Sequence, residues 1–442
     1  MRINTFLIAA ACALLSNAAN AGVNIEHWTT PTGARVYFVA SDALPILDVQ
    51  VDVAAGSAQD PAGKSGLAAI TRGMLDAGVQ ADGANAPALD EEQIAGRVVD
   101  LGIQFGGGVD GDRTSVTLRT LADPEQRNDS FALLRRLLAA PSFPEVVLTR
   151  EKTRTIAAIQ EANTRPGTVL SRRFNAALYG DHPYGRTPSV ESVGAVTRDD
   201  IVAFHRNNYS SAGAVISMIG NITRAEAERI AADLSAALPS RAPVPAIAAV
   251  TRPKAETIRI DHPSTQAHIA VGMPAVKRSD PDYYALLVGN YTLGGGGFVS
   301  KLMQEVREKR GYAYDVHSYF APRLLEGPFQ IGLQTRREQT DDALKVVNAV
   351  LDDYLKKGPS EAELAAAKKF YIDGLALRID SNAKLLGYLS AIGFYGLPLT
   401  YIDDYPKIIG AVTAAQVRAA FASHLSKDNL VTVIVGAGSA GK

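Results

Sequence analysis

The sequence predicts an α+β protein of two duplicated halves, each an antiparallel sheet with helices packed on one face. Three observations predict it. Apolar strand-like runs are segregated from long helical patterns instead of alternating with them one for one. The stretch from Gly194 to Gly220, GAVTRDDIVAFHRNNYSSAGAVISMIG, aligns without a gap on Gly410 to Gly436, GAVTAAQVRAAFASHLSKDNLVTVIVG, with Gly194/Gly410, Thr197/Thr413, Val215/Val431 and Gly220/Gly436 identical. Copies so far apart are duplicated domains, each of roughly 200 residues and able to bury its own core. Leu238 to Glu256 has four prolines and little helical periodicity, which is how a linker reads. The expected division is therefore 22–240, a linker at 241–256, and 257–442.

The elements follow in order. In the first half ARVYFVAS and LDVQVDVAAG read as strands, 64 to 78 and 90 to 102 as helices, TSVTLRTL as a strand, and 124 to 140 and 145 to 163 as long helices. In the second half ETIRIDH and AHIAVGMPA read as strands, 280 to 293 and 298 to 309 as helices, and FQIGLQT as a strand. Thr197 and Thr413 are placed as helix N-caps, each followed by a short amphipathic helix and a closing apolar strand.

Composition narrows the function classes. Across 442 residues 47% are hydrophobic and 21% charged, with a net charge of −1, so nothing favours a nucleic-acid or membrane-surface protein. Met1 to Asn4, the apolar run Phe6 to Leu15 and the small residues Ala19 and Ala21 predict an exported chain whose signal peptide, 1–21, is cut after Ala21. The run is too short to span a bilayer, which takes about 20 residues. Cys12, the single cysteine, lies inside it, so the mature chain has no disulfide or thiolate metal site. A periplasmic location is expected.

Residues 65 to 78 form a frame from which the chemistry is missing. Gly66, Leu67, Ile70, Met74 and Leu75 make a buried stripe, while 69 and 73 share another face. Two histidines there, with a glutamate beside the second, would make the zinc-binding H-x-x-E-H. The chain instead has Ala69, Arg72 and Gly73. Among His27, His182, His205, His262, His268, His317 and His424 no pair is spaced i, i+4 to replace them.

The stretch resembles the G-L-A-H-x-x-E-H-M-x-x-x-G motif of the M16 (pitrilysin-like) metallopeptidase family, retained as Gly66, Leu67, Ala68, Met74 and Gly78. The resemblance, to the short two-domain bacterial branch, covers nearly the whole mature chain, including HPYGR at 182 to 186. It places Ala69 and Gly73 at the zinc histidines and Arg72 at the base glutamate. The remaining zinc ligand falls at Ala158, seven residues after Glu151, with Glu161 one turn on as an alternative. Neutral side chains at 69 and 73 cannot ligate, and a cation at 72 repels a metal. No metal is therefore expected in this chain.

A second stretch, SKLMQEVREKRGYAYDV from Ser300 to Val316, resembles the motif in which an Arg and a Tyr seven residues apart reach across to the zinc site of the facing domain. The matches are Arg307 and Tyr314, implied donors to the substrate backbone and to the developing oxyanion. Read without the resemblance, 307 to 310 is a solvated helix end capped by Gly311. LGGGG at 293 to 297 lacks the Lys-Ser/Thr of a phosphate loop and reads as a flexible connection. Gly106, Gly107 and Gly108 sit where the family has its substrate-pairing edge strand, though a plain bulged hairpin reads equally well. The resemblance implies a noncatalytic subunit of a periplasmic heterodimeric zinc endopeptidase, with Zn²⁺ in a zinc-motif partner and an unfolded peptide as substrate. The alternative is a catalytically inert scaffold or peptide-binding protein.

Overall fold

A computed structural model describes residues 22–83, 86–240 and 244–436; the expected signal peptide and its cleavage point lie outside these described residues. The first half carries strands β1 (Glu26–Thr29), β2 (Arg35–Ala40) and β3 (Ile46–Val53), a small ribbon of β4 (Gly78–Val79) and β5 (Leu89–Asp90), then β6 (Gln104–Val109), β7 (Thr114–Leu121) and β8 (Val215–Gly220). Six of them form a sheet in the order β1-β2-β8-β3-β7-β6. The second half has β9 (Glu256–Ile260), β10 (Gln266–Val276), β11 (Ala313–Phe320), β12 (Gly327–Arg336) and β13 (Val431–Val435), ordered β11-β12-β10-β13-β9. Each sheet is antiparallel apart from one parallel pair, β2 with β8 and β9 with β13.

Helices of the first half are α1 (Leu67–Gly73), α2 (Glu91–Asp100), α3 (Pro124–Ala139), α4 (Glu145–Ala162), α5 (Pro166–Tyr179), α6 (Val190–Gly194), α7 (Arg198–Asn208) and α8 (Arg224–Ala237). The second half adds α9 (Tyr283–Asn290), α10 (Thr340–Lys357), α11 (Glu361–Asp373), α12 (Leu375–Arg378), α13 (Asn382–Tyr395), α14 (Tyr405–Ala411) and α15 (Ala414–His424). The duplication is visible at residue resolution, because adding 216 to the bounds of α5 and α7 gives those of α13 and α15. Thr197 and Thr413 cap α7 and α15, each hydroxyl accepting from the third helical N–H while that residue's side chain returns the bond.

Strand alternation gives each sheet two apolar faces, and both are covered. One face of the first sheet, with Val36, Phe38, Val49 and Met218, packs against helices of its own half. Its other face, with Tyr37, Val215 and Ile219, is covered by Leu385, Leu389 and Ile392 of α13 from the second half. The reciprocal holds. Phe174 and Leu178 of α5 cover Ala270, Val431 and Val433 of the second sheet. Gly393 shows how closely α13 seats, since a Cβ there would lie 2.4 Å from Val215 and 2.6 Å from Tyr37. The halves are thus interlocked by a pair of exchanged helices as well as joined by a linker.

Several expected elements are corrected. The helix expected over 64–78 is the seven-residue α1, started by Gly66 at φ 105° and ended where Met74 leaves helical geometry, though its buried stripe is the expected one. The helix over 280–293 is α9, continued by a π-helical turn at Tyr291–Gly295. That turn contains most of the LGGGG stretch, which is therefore ordered, not a flexible connection. Gly294 packs so tightly on Ser318 that a Cβ would fall 2.4 Å from its hydroxyl, and Asn290 holds Ser318 through bonds of 2.9 and 2.7 Å. The single helix over 298–309 is instead a turn at Gly297–Val299, a break at the extended Ser300, and a π-helical turn at Met303–Glu308. Residues 244–255 of the linker have no regular structure but are tied down, for example by His182 Nε2 to Ala248 O at 2.9 Å and Asn429 Nδ2 to Pro253 O at 2.7 Å.

Candidate functional site

The charged end of 300–316 separates into two kinds of cation. Lys309 and Arg310 both pair with Glu305, at 2.6 and 2.7 Å, as helix-end charges do. Arg307 behaves differently. Among the described residues its side chain makes no hydrogen bond or ion pair; its guanidinium lies instead 4.6 Å from the ring centre of Phe298 and 4.8 Å from that of Tyr314. Two aromatic faces hold it in place while its N–H groups stay available.

Tyr314 reaches this position through a bulge. In the β11–β12 pairing Ala313 faces Thr335 and Val316 faces Leu333, so the partner strand advances by two residues while β11 advances by three. The extra residue turns the local chain out of the ladder, and Tyr314 is 84% exposed. Phe298 and Val299 beside it are 60% and 56% exposed, an unusual concentration of apolar surface. Behind Tyr314 a crevice of about 320 Å³ runs between α5 and the second sheet, lined by His268, His317, Gln330 and Gln334. The structure brings together Arg307 and Tyr314; sequence reasoning missed Phe298, whose only signal was an exposed aromatic just before the motif.

The first half presents the opposite situation. Ala69 and Gly73 are exposed on α1, and a Cβ on Gly73 would meet nothing within 4 Å. Arg72 stands between them, half-buried, with Nε donating to the Ser115 carbonyl at 3.2 Å and its guanidinium 5.1 Å from the Phe105 ring centre. Burial pulls its pKa below the usual arginine range, opposed by Tyr209 and Asp76. Ala158 is exposed on α4, Glu151 is engaged by Arg150 and Arg154, and Glu161 pairs with Arg165. Positions 69, 72, 73 and 158 therefore offer a metal no donor and one cation, and zinc does not fit this frame.

What persists is the support of the frame. Gly66 cannot cap α1 with a side chain, so Asp60 does so from outside, accepting from the N–H groups of Gly66 and Ala68 at 2.7 and 2.8 Å. Burial outweighs these bonds and pushes the Asp60 carboxyl up to about 6. β6 is an edge of the first sheet, with no strand among the described residues on its outer side. Gly107 is required there: its φ is 129° and a Cβ would lie 2.0 Å from the Ser115 carbonyl. The HPYGR stretch is structural. Tyr184 Oη donates to Asp112, which also accepts from Leu324 N of the second half at 2.9 Å. Asp52, fully buried, accepts from Ser115 and from Ser390 of α13 at 2.5 and 2.6 Å, with Arg113 donating to Ser390.

A duplicated α+β shell without metal donors at positions 69, 72, 73 and 158, and with Arg307 stacked on an exposed Tyr314 in the other half, has the build of a peptidase-like protein. Comparison with known proteins agrees. A family model described as peptidase M16 inactive domain matches residues 195–371. A solved peptidase M16 inactive domain from Pseudomonas fluorescens is 38% identical, covers 95% of this chain and 99% of that one, and superposes with a TM-score of 0.88. The chain belongs to the M16 peptidase family, and its fold is of that family's inactive kind. An uncharacterized zinc protease of Streptomyces coelicolor is 30% identical over 281 residues, 61% of this chain and 60% of its own length, so the match spans about three fifths of that relative. The periplasmic protease PqqL of Escherichia coli shares the fold at 18% identity and a TM-score of 0.79, covering 94% of this chain and 46% of PqqL. Among the described residues no single helix is long and apolar enough to cross a membrane.

Proposed function

We propose that this chain is the noncatalytic subunit of a heterodimeric M16 zinc endopeptidase in the periplasm, completing the active site of a partner that carries the zinc motif. The observation that carries the reading is Arg307, held between Phe298 and Tyr314 with its own N–H groups unspent while the neighbouring cations are paired. A bidentate donor so presented suits a peptide backbone or a terminal carboxylate, and the exposed Tyr314 hydroxyl suits a carbonyl oxygen as it gains charge. Both need a metal-bound water on the facing chain, which positions 69, 72, 73 and 158 of this one do not supply. The N-terminal signal-like stretch and the fold shared with a periplasmic protease support export. The test is co-purification with a zinc-motif M16 chain followed by a peptide-cleavage assay. Tyr314→Phe is expected to leave the complex intact by size-exclusion chromatography and to lower kcat about 10²-fold, the scale of one lost oxyanion donor; full activity of that variant overturns the assigned role.

A second reading, an inert peptide-binding scaffold, is favoured by the free glycine edge of β6. It requires that the chain alone retain unfolded peptide and that no partner confer cleavage.

A further inference from the structure

Away from both motif regions, three donors converge where α15 ends and α9 begins. His424 Nε2 lies 3.2 Å from Asp282 Oδ2 and 3.5 Å from Asp280 Oδ1, and one donor atom from each residue falls within 4.8 Å of the others. We propose that Asp280, Asp282 and His424 form a binding site for a divalent transition-metal ion of the zinc or manganese class.

The imidazole is oriented from outside the trio. Its Nδ1 lies 2.9 Å from the Ala275 carbonyl at the end of β10, which places the proton on Nδ1 and leaves the Nε2 lone pair aimed at the carboxylates. The separations suit a metal: ligands bound at about 2.0–2.1 Å in tetrahedral geometry stand about 3.3–3.5 Å apart. Charge points the same way. Among the described residues neither Asp280 nor Asp282 pairs with any Lys or Arg, so His424 is their sole cationic candidate. A protonated imidazole leaves one negative charge on the trio, whereas a divalent ion with neutral imidazole balances it. Asp282 also borders an open cavity of about 410 Å³, together with Asp404 and Lys407, so the trio is open to solvent on the Asp282 side.

The duplication shows that the fold does not require these donors. At the same offset of 216, Asp282 at the N-cap of α9 corresponds to Gly66 at the N-cap of α1, Asp280 to Lys64, and His424 to Asn208. The first half builds the same junction with a glycine, a lysine and an asparagine, so the trio is particular to the second half. Three protein ligands with one open position is an arrangement that holds zinc. Its place, joining β10, α9 and α15, makes the ion a brace for the second half and not a participant in peptide cleavage.

The proposal is tested on the mature chain after chelator treatment, by calorimetric titration with Zn²⁺ and separately with Mn²⁺. One saturable site is expected, weakened at least tenfold by Asp282→Asn and by His424→Ala, with a metal-dependent rise in Tm seen in the unsubstituted chain and lost in both variants. Asp282→Asn preserves shape, so a folded variant with lost binding separates ligation from damage. Absence of a saturable site, or binding that both substitutions leave unchanged, overturns the proposal and leaves His424 as a side chain that only packs beside two carboxylates.

Discussion

At the residue scale, three side chains show how environment sets role. Arg307, Lys309 and Arg310 are near neighbours in sequence, yet Glu305 engages only the last two. The guanidinium of Arg307 is held by stacking, so Phe298→Ala is expected to loosen it: in a reconstituted complex KM should rise severalfold with a smaller change in kcat, measured by steady-state peptide cleavage. His205 illustrates the opposite case, a histidine with a structural role. It is buried against Phe143 and Tyr209 with Nε2 3.0 Å from the Leu138 carbonyl, and burial pulls its pKa down to about 4. The unfolded chain takes up that proton near pH 6.5, so the stability His205 contributes is complete above 6.5 and is lost as pH falls toward 4, on the order of 3 kcal/mol in all. Asp60 acts in the reverse sense: with its carboxyl raised from 3.8 to about 6, it destabilises as pH rises through that window. Chemical denaturation of the unsubstituted chain and of His205→Gln from pH 7 to 4 separates the two, and the variant is expected to show the shallower acid loss.

At the element scale, the exchanged helices decide the architecture. A glycine inside a helix ordinarily costs about 1 kcal/mol relative to alanine, so Gly→Ala there is usually stabilising. Gly393 of α13 should reverse the sign, because the added Cβ meets Val215 and Tyr37 of the other half's sheet. Gly393→Ala is expected to destabilise by about 1–3 kcal/mol in urea unfolding. Leu389→Ala, which opens a cavity in the same seam, is expected to cost about 2–5 kcal/mol. This exchange was hidden in the sequence for a physical reason. Periodicity marks which face of α5 or α13 is apolar but not which sheet will cover it. The caps at Thr197 and Thr413 and the stripe of α1 were legible, because each depends on residues within one or two turns of chain; the edge position of β6 followed only from the family resemblance, since it depends on the order of the whole sheet. The π-helical turns around Gly294 and Val306 were not, since they depend on long-range packing against Ser318 and the second core.

At the scale of the whole molecule, the frame kept at 65–78 and the pair at 307 and 314 make sense together. Leu67, Ala68, Ile70, Met74 and Leu75 are buried in the first core, so the helix serves packing whatever stands at 69 and 73. The absence of donors at 69 and 73 was legible, because the resemblance places both on one short stretch; the sandwich that holds Arg307 was not, because Phe298 joins it across a turn and a bulge. Asp112 and Asp52 tie the halves through Leu324 and Ser390, so the Arg307 surface is carried by one interlocked body. The measurement that tests this account most directly is peptide cleavage by the purified mature chain, alone and mixed with a zinc-motif M16 partner, with and without Arg307→Ala. No cleavage alone, cleavage on mixing, and a loss of about 10²-fold with the variant at unchanged assembly is the predicted result. Cleavage by this chain alone, or a mixture indifferent to Arg307, would contradict it.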